Sequence, residues 1–138
     1  MKSILIAVLA AFTGVILVSV QGSAHHGTGI SYDRSKEWRG KVVVTEFRYA
    51  NPHPQLFFDR TDEKGNVVHW VSELNTNPSR MLRAGWTRKR SEEVLKPGTQ
   101  VILTIAPSKA GEASGLVIKI ENEQGEEIAS GPAGGPAR

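Results

Sequence analysis

Five short runs of β-branched and aromatic residues, broken once by a helical segment, predict an all-β chain with a small helical content. Within the runs, apolar and polar residues partly alternate, as in sheets with one buried face. The helical segment falls between the third and fourth runs. Elsewhere glycine, proline, asparagine and aspartate punctuate the chain at turn spacing.

Residues 1–24 read as a secretory signal. Lys2 supplies the positive start, Ile4 to Val20 is apolar except for Thr13, Gly14 and Ser19, and Gly22-Ser23-Ala24 offers the small residues a signal peptidase reads. The apolar run is short of the ~20 residues a spanning helix wants, and no basic stop-transfer cluster follows it. Cleavage after Ala24 makes His25 the first residue, and the expected location is periplasmic or secreted, with no membrane attachment once the signal is gone. There is no cysteine, hence neither a lipoprotein anchor nor a disulfide framework.

Removing 24 of 138 residues leaves 114, enough for one domain with one modest core. Residues 25–37 form a polar, glycine-containing arm, and residues 38–128 the barrel domain. Residues 38–49, WRGKVVVTEFRY, are the first strand. ANPHP (50–54) interrupts it, because two prolines remove backbone donors and fix the chain locally. QLFFDR (55–60) and VVHWVSEL (67–74) form a hairpin around the turn residues TDEKGN. NTNPSRMLRAGW (75–86) has an asparagine start, an early proline and a glycine stop, the marks of a short helix. Met81 and Leu82 are expected to face inward from it and plug one end of the barrel. SEEVLKPG (91–98) adds about one more helical turn. TQVILTIAPS and SGLVIKIENE are the fourth and fifth strands. The Gly/Pro/Ala-rich tail, 129–138, is expected to be disordered.

Three strands, a helix and two strands is the order of a five-stranded OB-like β-barrel with one short helix between strands 3 and 4. Closure removes the exposed edges that five short strands would otherwise present. Trp38, Trp70 and Trp86 are assigned to the core.

The formal charge is +3, or +2 once Lys2 is removed, a slight basic excess. Arg80, Arg83, Arg88, Lys89 and Arg90 cluster, but Glu92 and Glu93 follow at once, which favours a solvated helix face over a phosphate-binding stripe. Nucleic acid is not an expected partner. No serine elbow, cysteine nucleophile, phosphate-binding glycine loop or dinucleotide fingerprint is present. Asp59, Asp62 and Glu63 lack the alternating oxygen ligands of a calcium loop and read as surface-turn acids.

The four histidines carry the chemistry. A histidine at a mature amino terminus can chelate one metal through its α-amine and ring Nδ1, and a second imidazole completes a T-shaped brace suited to copper. Nitrogen donors bind copper(II) ahead of the other common divalent ions, and an α-amine titrating near 8 is partly free at neutral pH. His26 adds an imidazole and a backbone amide. Cleavage one residue earlier would give Ala24-His25-His26, with histidine third, which also takes copper.

With a turn centred on Glu63-Lys64, Phe58 would face His69 and His53 would fall opposite Leu74. That separates the two histidines by five residues, or ~16 Å at about 3.3 Å per residue, so they cannot share an ion. His69 then reads as a packed or surface strand residue. His53 lies in the loop between strands one and two, a loop OB barrels use for ligands, with Glu73 its neighbour across the hairpin. Asn51 to Pro54 reads equally as a plain rigid bend. The candidate metal site is His25, His26, His53 and Glu73, with copper as the ion. No substrate surface suggests an oxidative copper enzyme, so the expectation is a non-catalytic exported binding protein. The alternative is a periplasmic module that docks a partner protein or envelope component, its histidines incidental.

His25-His26 after a signal, Tyr32-Asp33, Gly40-Lys41-Val42, Glu46-Phe47, Asn51-Pro52-His53, Trp70-x-x-Glu73, Arg83-x-Gly85-Trp86 and Leu95-Lys96-Pro97-Gly98 recur in that order in one family. The chain resembles the small exported bacterial proteins grouped as domain of unknown function 6152, over residues 25–120. The resemblance implies a secreted or periplasmic small β-barrel and carries no activity with it. The family often has serine after the paired histidines where this chain has Gly27, which leaves the arm looser.

Overall fold

The computed structural model describes residues 31–130. Strands β1 (Trp38–Arg48), β2 (Gln55–Thr61) and β3 (Val67–Leu74) form an antiparallel meander. Helices α1 (Pro78–Arg83) and α2 (Arg88–Val94) follow, and then β4 (Gln100–Pro107), β5 (Ser114–Glu121) and β6 (Glu127–Ser130). β1 pairs with β4 and β4 with β5, both antiparallel, and β3 closes on β5 in parallel through Val71–Leu74 against Ser114–Val117. The five strands therefore close in the order 1-2-3-5-4 and back to 1, an OB-type barrel as the sequence predicts. β6 was not anticipated. It pairs with β5 from Lys119 to Glu121, beyond the stretch that β3 occupies, and takes Ala129 and Ser130 into the sheet. The rest of the tail lies outside the described residues, as do residues 1–24, expected to be a signal, and His25 to Ile30.

Alternation builds the core. Val42 and Val44 of β1, Leu56 and Phe58 of β2, Leu74 of β3, Val101, Leu103 and Ile105 of β4, and Val117 and Ile120 of β5 point inward and are buried. A bulge between Val44 and Glu46 leaves Thr45 unpaired and resets the phase of β1. Phe47 and Tyr49 then pack toward the core while Glu46 pairs opposite the outward Phe57. At Gly115 there is no room for a side chain, because a Cβ would lie 2.5 Å from the Ile105 Cγ2 and 2.9 Å from the Ala106 oxygen.

The β2–β3 register differs from the one expected. Asp59, not Phe58, faces His69, and Gln55 faces Glu73, so the turn centres on Lys64 alone. The cause lies in the turn. The Asp62 carboxylate accepts from the backbone N–H groups of Lys64 and Asn66, Asp62 N–H donates to Asn66 O, and Gly65 adopts φ 84°. This closes an odd-numbered loop, and a one-residue slip exchanges the two faces of a strand.

The helical segment caps one end of the barrel with two helices. Asn77 Oδ1 caps α1 at Arg80 N–H and Pro78 opens it; the Thr87 hydroxyl caps α2 at Arg90 N–H. Met81 is buried as expected, but Leu82 is not inward: it is 59% exposed. A helix of fewer than two turns offers one residue to the barrel on each turn, and the next residue is rotated by about 100° away from it. Leu95, just past α2, fills the inward space instead. Arg88 and Lys89 pair with Glu92 and Glu93 at 3.6 and 3.9 Å, the solvated face anticipated for the basic cluster. At the far end Trp38, Phe58 and Trp70 form an aromatic group, with the Arg60 guanidinium 4.1 Å from the Trp38 ring centre. All three tryptophans pack against the core and none is fully buried. No helix among the described residues is long and apolar enough to cross a membrane.

Candidate functional site

The loop between β1 and β2 is held from both sides. At its start the Tyr49 hydroxyl lies 3.0 Å from Pro78 O and 3.2 Å from Trp86 O, and Arg88 donates to Tyr49 O, so the loop is tied to both helices. At its end Pro54 is fully buried and its oxygen accepts from Leu74 N–H at 2.8 Å. The Asn51–Pro52 bond between them is cis.

His53 sits half-buried in this loop with Nδ1 2.9 Å from Thr76 O. A carbonyl oxygen can only accept, so Nδ1 carries the hydrogen and Nε2 is left as a lone-pair donor. Among the described residues nothing hydrogen-bonds to Nε2. A histidine oriented through Nδ1–H to a backbone carbonyl, with Nε2 open, has the arrangement that metal-binding histidines use. The oxygen that orients His53 thus comes from Thr76, where the sequence suggested the Glu73 carboxylate.

Glu73 lies on the outer face of β3, opposite Gln55 of β2 and beside Leu116 of β5. Burial, then the Glu73 negative charge, then hydrogen bonding to Glu73 raise the Tyr32 phenol to about 12. Tyr32 is placed by its neighbours: it bridges Ser108, Lys109 N–H donates to Ser31 O at 3.0 Å, and Asp33 N–H donates to Pro107 O at 2.8 Å. The arm thus enters the fold along the β4–β5 connection and meets β3 through one side chain.

Of the four residues named as candidate ligands, His53 and Glu73 lie at the same end of the β2–β3 hairpin, while His25 and His26 fall outside the described residues. Among the described residues no three or more of His, Cys, Asp and Glu gather closely enough to hold a metal ion. His69 is a surface strand residue, its side chain 83% exposed and its Nδ1 bonded to Asp59. Asp62 serves its turn. Tyr32 and Thr76 were not singled out as site residues. Thr76 acts through a backbone oxygen that any residue would offer, and no local pattern joins Tyr32 to Glu73.

The fold and the loop define a class: a small closed OB-type barrel with one oriented imidazole in the loop between its first two strands. Residues 11–119 match the Family of unknown function (DUF6152), and the chain belongs to that family. No curated protein and no solved structure matches it.

Proposed function

We propose that the protein is an exported, non-catalytic copper-binding barrel acting in the periplasm or outside the cell. After signal cleavage, the His25 α-amine and imidazole, His26 and His53 Nε2 would supply the nitrogen donors, with Glu73 as a supporting carboxylate. The observation that carries this reading is the His53 Nδ1–H bond to Thr76 O, which leaves Nε2 without a hydrogen-bond partner among the described residues. Four nitrogen donors of this kind favour copper(II) over zinc. The test is copper(II) titration of protein beginning at His25. One equivalent should bind well above the affinity for zinc. An added N-terminal methionine or His25→Ala should remove most of the affinity. Binding no tighter than that of an unrelated protein with a free amino terminus would sink the reading.

A second reading is a metal-independent docking module. It is favoured by Val43, Val67 and Val71, which are 38%, 58% and 36% exposed on the outer face of β1 and β3. In that case removing His25 and His26 leaves function intact, and Val71→Asp abolishes partner capture.

A further inference from the structure

We propose that the outward arc of the helical cap is a docking surface for an anionic lipid bilayer. Leu82 enters the headgroup region, and Arg80, Arg83, Arg90 and Lys96 meet its phosphates. Such docking is reversible, requires no metal and leaves the copper reading untouched.

Charge and exposure single out this surface. Residues 75–98 hold six cations and two anions, a net +4, against +3 for the whole chain. The basic excess is therefore carried by the cap, and the rest of the chain is close to neutral. Glu92 and Glu93 pair with Arg88 and Lys89. Among the described residues no carboxylate pairs with Arg80, Arg83, Arg90 or Lys96, and residues 75–91 contain no acid. Met81 points into the barrel. At about 100° per residue, Ser79, Arg80, Leu82 and Arg83 therefore occupy the outward arc of α1, and all four are exposed. The Arg90 guanidinium lies 4.4 Å from the ring centre of half-buried Trp86 and donates to Gly85 O at 3.2 Å. It is held beside the end of α1 without being neutralised. An acidic protein would answer the cations and leave Leu82, 59% exposed, without an apolar partner. A bilayer interface answers both, with anionic headgroups for the cations and the acyl boundary for the leucine.

The experiment sediments protein with vesicles of phosphatidylglycerol and phosphatidylcholine in equal parts, and with vesicles of phosphatidylcholine alone. Protein beginning at His25 is used, so that the apolar run of residues 4–20 does not itself enter the bilayer. Wild type should bind the anionic vesicles at least about tenfold more tightly, and raising the salt from about 0.1 M to about 1 M should release it, as screening shortens from about 10 Å to about 3 Å. Arg80→Gln with Arg83→Gln should weaken binding about fivefold for each charge lost, while Arg80→Lys with Arg83→Lys should retain it. Leu82→Ser should weaken it by roughly tenfold. The chain has no cysteine, so Leu82→Cys and Val67→Cys each accept a single environment-sensitive fluorophore. The probe at 82 should brighten on anionic vesicles. The probe at 67, on the end of β3 away from the helices, should not. Equal binding to both vesicle types, no loss when the two arginines are neutralised, or a probe at 82 no brighter than one at 67 overturns the docking. Equal affinity for soluble polyglutamate, unchanged by Leu82→Ser, overturns it as well and assigns the cap to an acidic protein.

Discussion

His53 Nδ1 and the Thr76 backbone oxygen, 2.9 Å apart, join the β1–β2 loop to the segment that leads into α1. The bond fixes the imidazole's tautomer without using a side chain, so the site's donor nitrogen is set by backbone geometry. On the copper reading, protons and copper(II) would compete for the nitrogen lone pairs of the site, and copper affinity should fall as the pH is lowered. His53→Ala should weaken binding while His69→Ala leaves it nearly unchanged, since His69 is engaged with Asp59 elsewhere on the hairpin. Equal effects of the two substitutions in calorimetric titrations would mean that the metal is bound nonspecifically by surface imidazoles.

Met81 and Leu82 are neighbours in sequence and opposites in burial, 5% against 59% exposed. Met81→Ala should cost about 2–5 kcal/mol, the range for a large buried side chain cut to alanine. Leu82→Ala should stay within about half a kcal/mol, as surface substitutions do. Urea unfolding of the two variants decides it, and comparable losses would place α1 differently on the barrel.

The strands were legible because a period of two, broken by turn residues, survives in stretches as short as seven residues. α1 was legible as a helix, but which residue it buries was not, since six residues give too few turns for periodicity to choose between Met81 and Leu82. The hairpin register depended on one carboxylate, Asp62, and its bonds across the turn. β6 offers only Ile128 and Ala129 to the core, too little apolar signal to stand out from the tail. His53 could be picked out as a histidine held between two prolines. Thr76 and Tyr32 could not, because one acts through a main-chain atom and the other faces Glu73, a residue distant in sequence.

Gly115 brings β5 close to β4. Gly115→Ala would put a methyl against the Ile105 side chain and the Ala106 backbone oxygen, and the latter cannot rotate aside. The expected cost is roughly 1–3 kcal/mol, the usual range for overpacking. A variant melting at the wild-type temperature would show that β5 shifts freely against β4.

Glu121 is 5% exposed and is bonded by Arg39 at 2.8 Å, with Lys119 at 3.2 Å. The Arg39 hydrogen bond is the main cause that holds its carboxyl below the ordinary value of 4.5, opposed by burial and assisted by Lys119. A lowered folded-state value means that the unfolded chain takes up the proton first as the pH drops. The stabilisation is therefore present above about 4.5 and is lost as the pH falls through the lower folded value. Thermal melts of Glu121→Gln should start lower at neutral pH and decline less steeply in acid than wild type. Parallel acid profiles would show that the pair contributes nothing to folding.

Tyr32 gives the opposite sign at the alkaline end. Its phenol titrates at about 12 when folded, against 10.0 for a free tyrosine. Stability linked to it is complete below about 10 and is lost as the pH rises toward 12, where the unfolded chain releases its proton first. Burial is the largest cause and Glu73 the next, so Glu73→Gln should bring the phenol only part of the way back. The phenolate absorbance of wild type minus that of Tyr32→Phe isolates this group from Tyr49. A difference titration that Glu73→Gln leaves unmoved would mean the carboxylate does not face the phenol, and the arm would then be held by its backbone bonds to the β4–β5 connection alone.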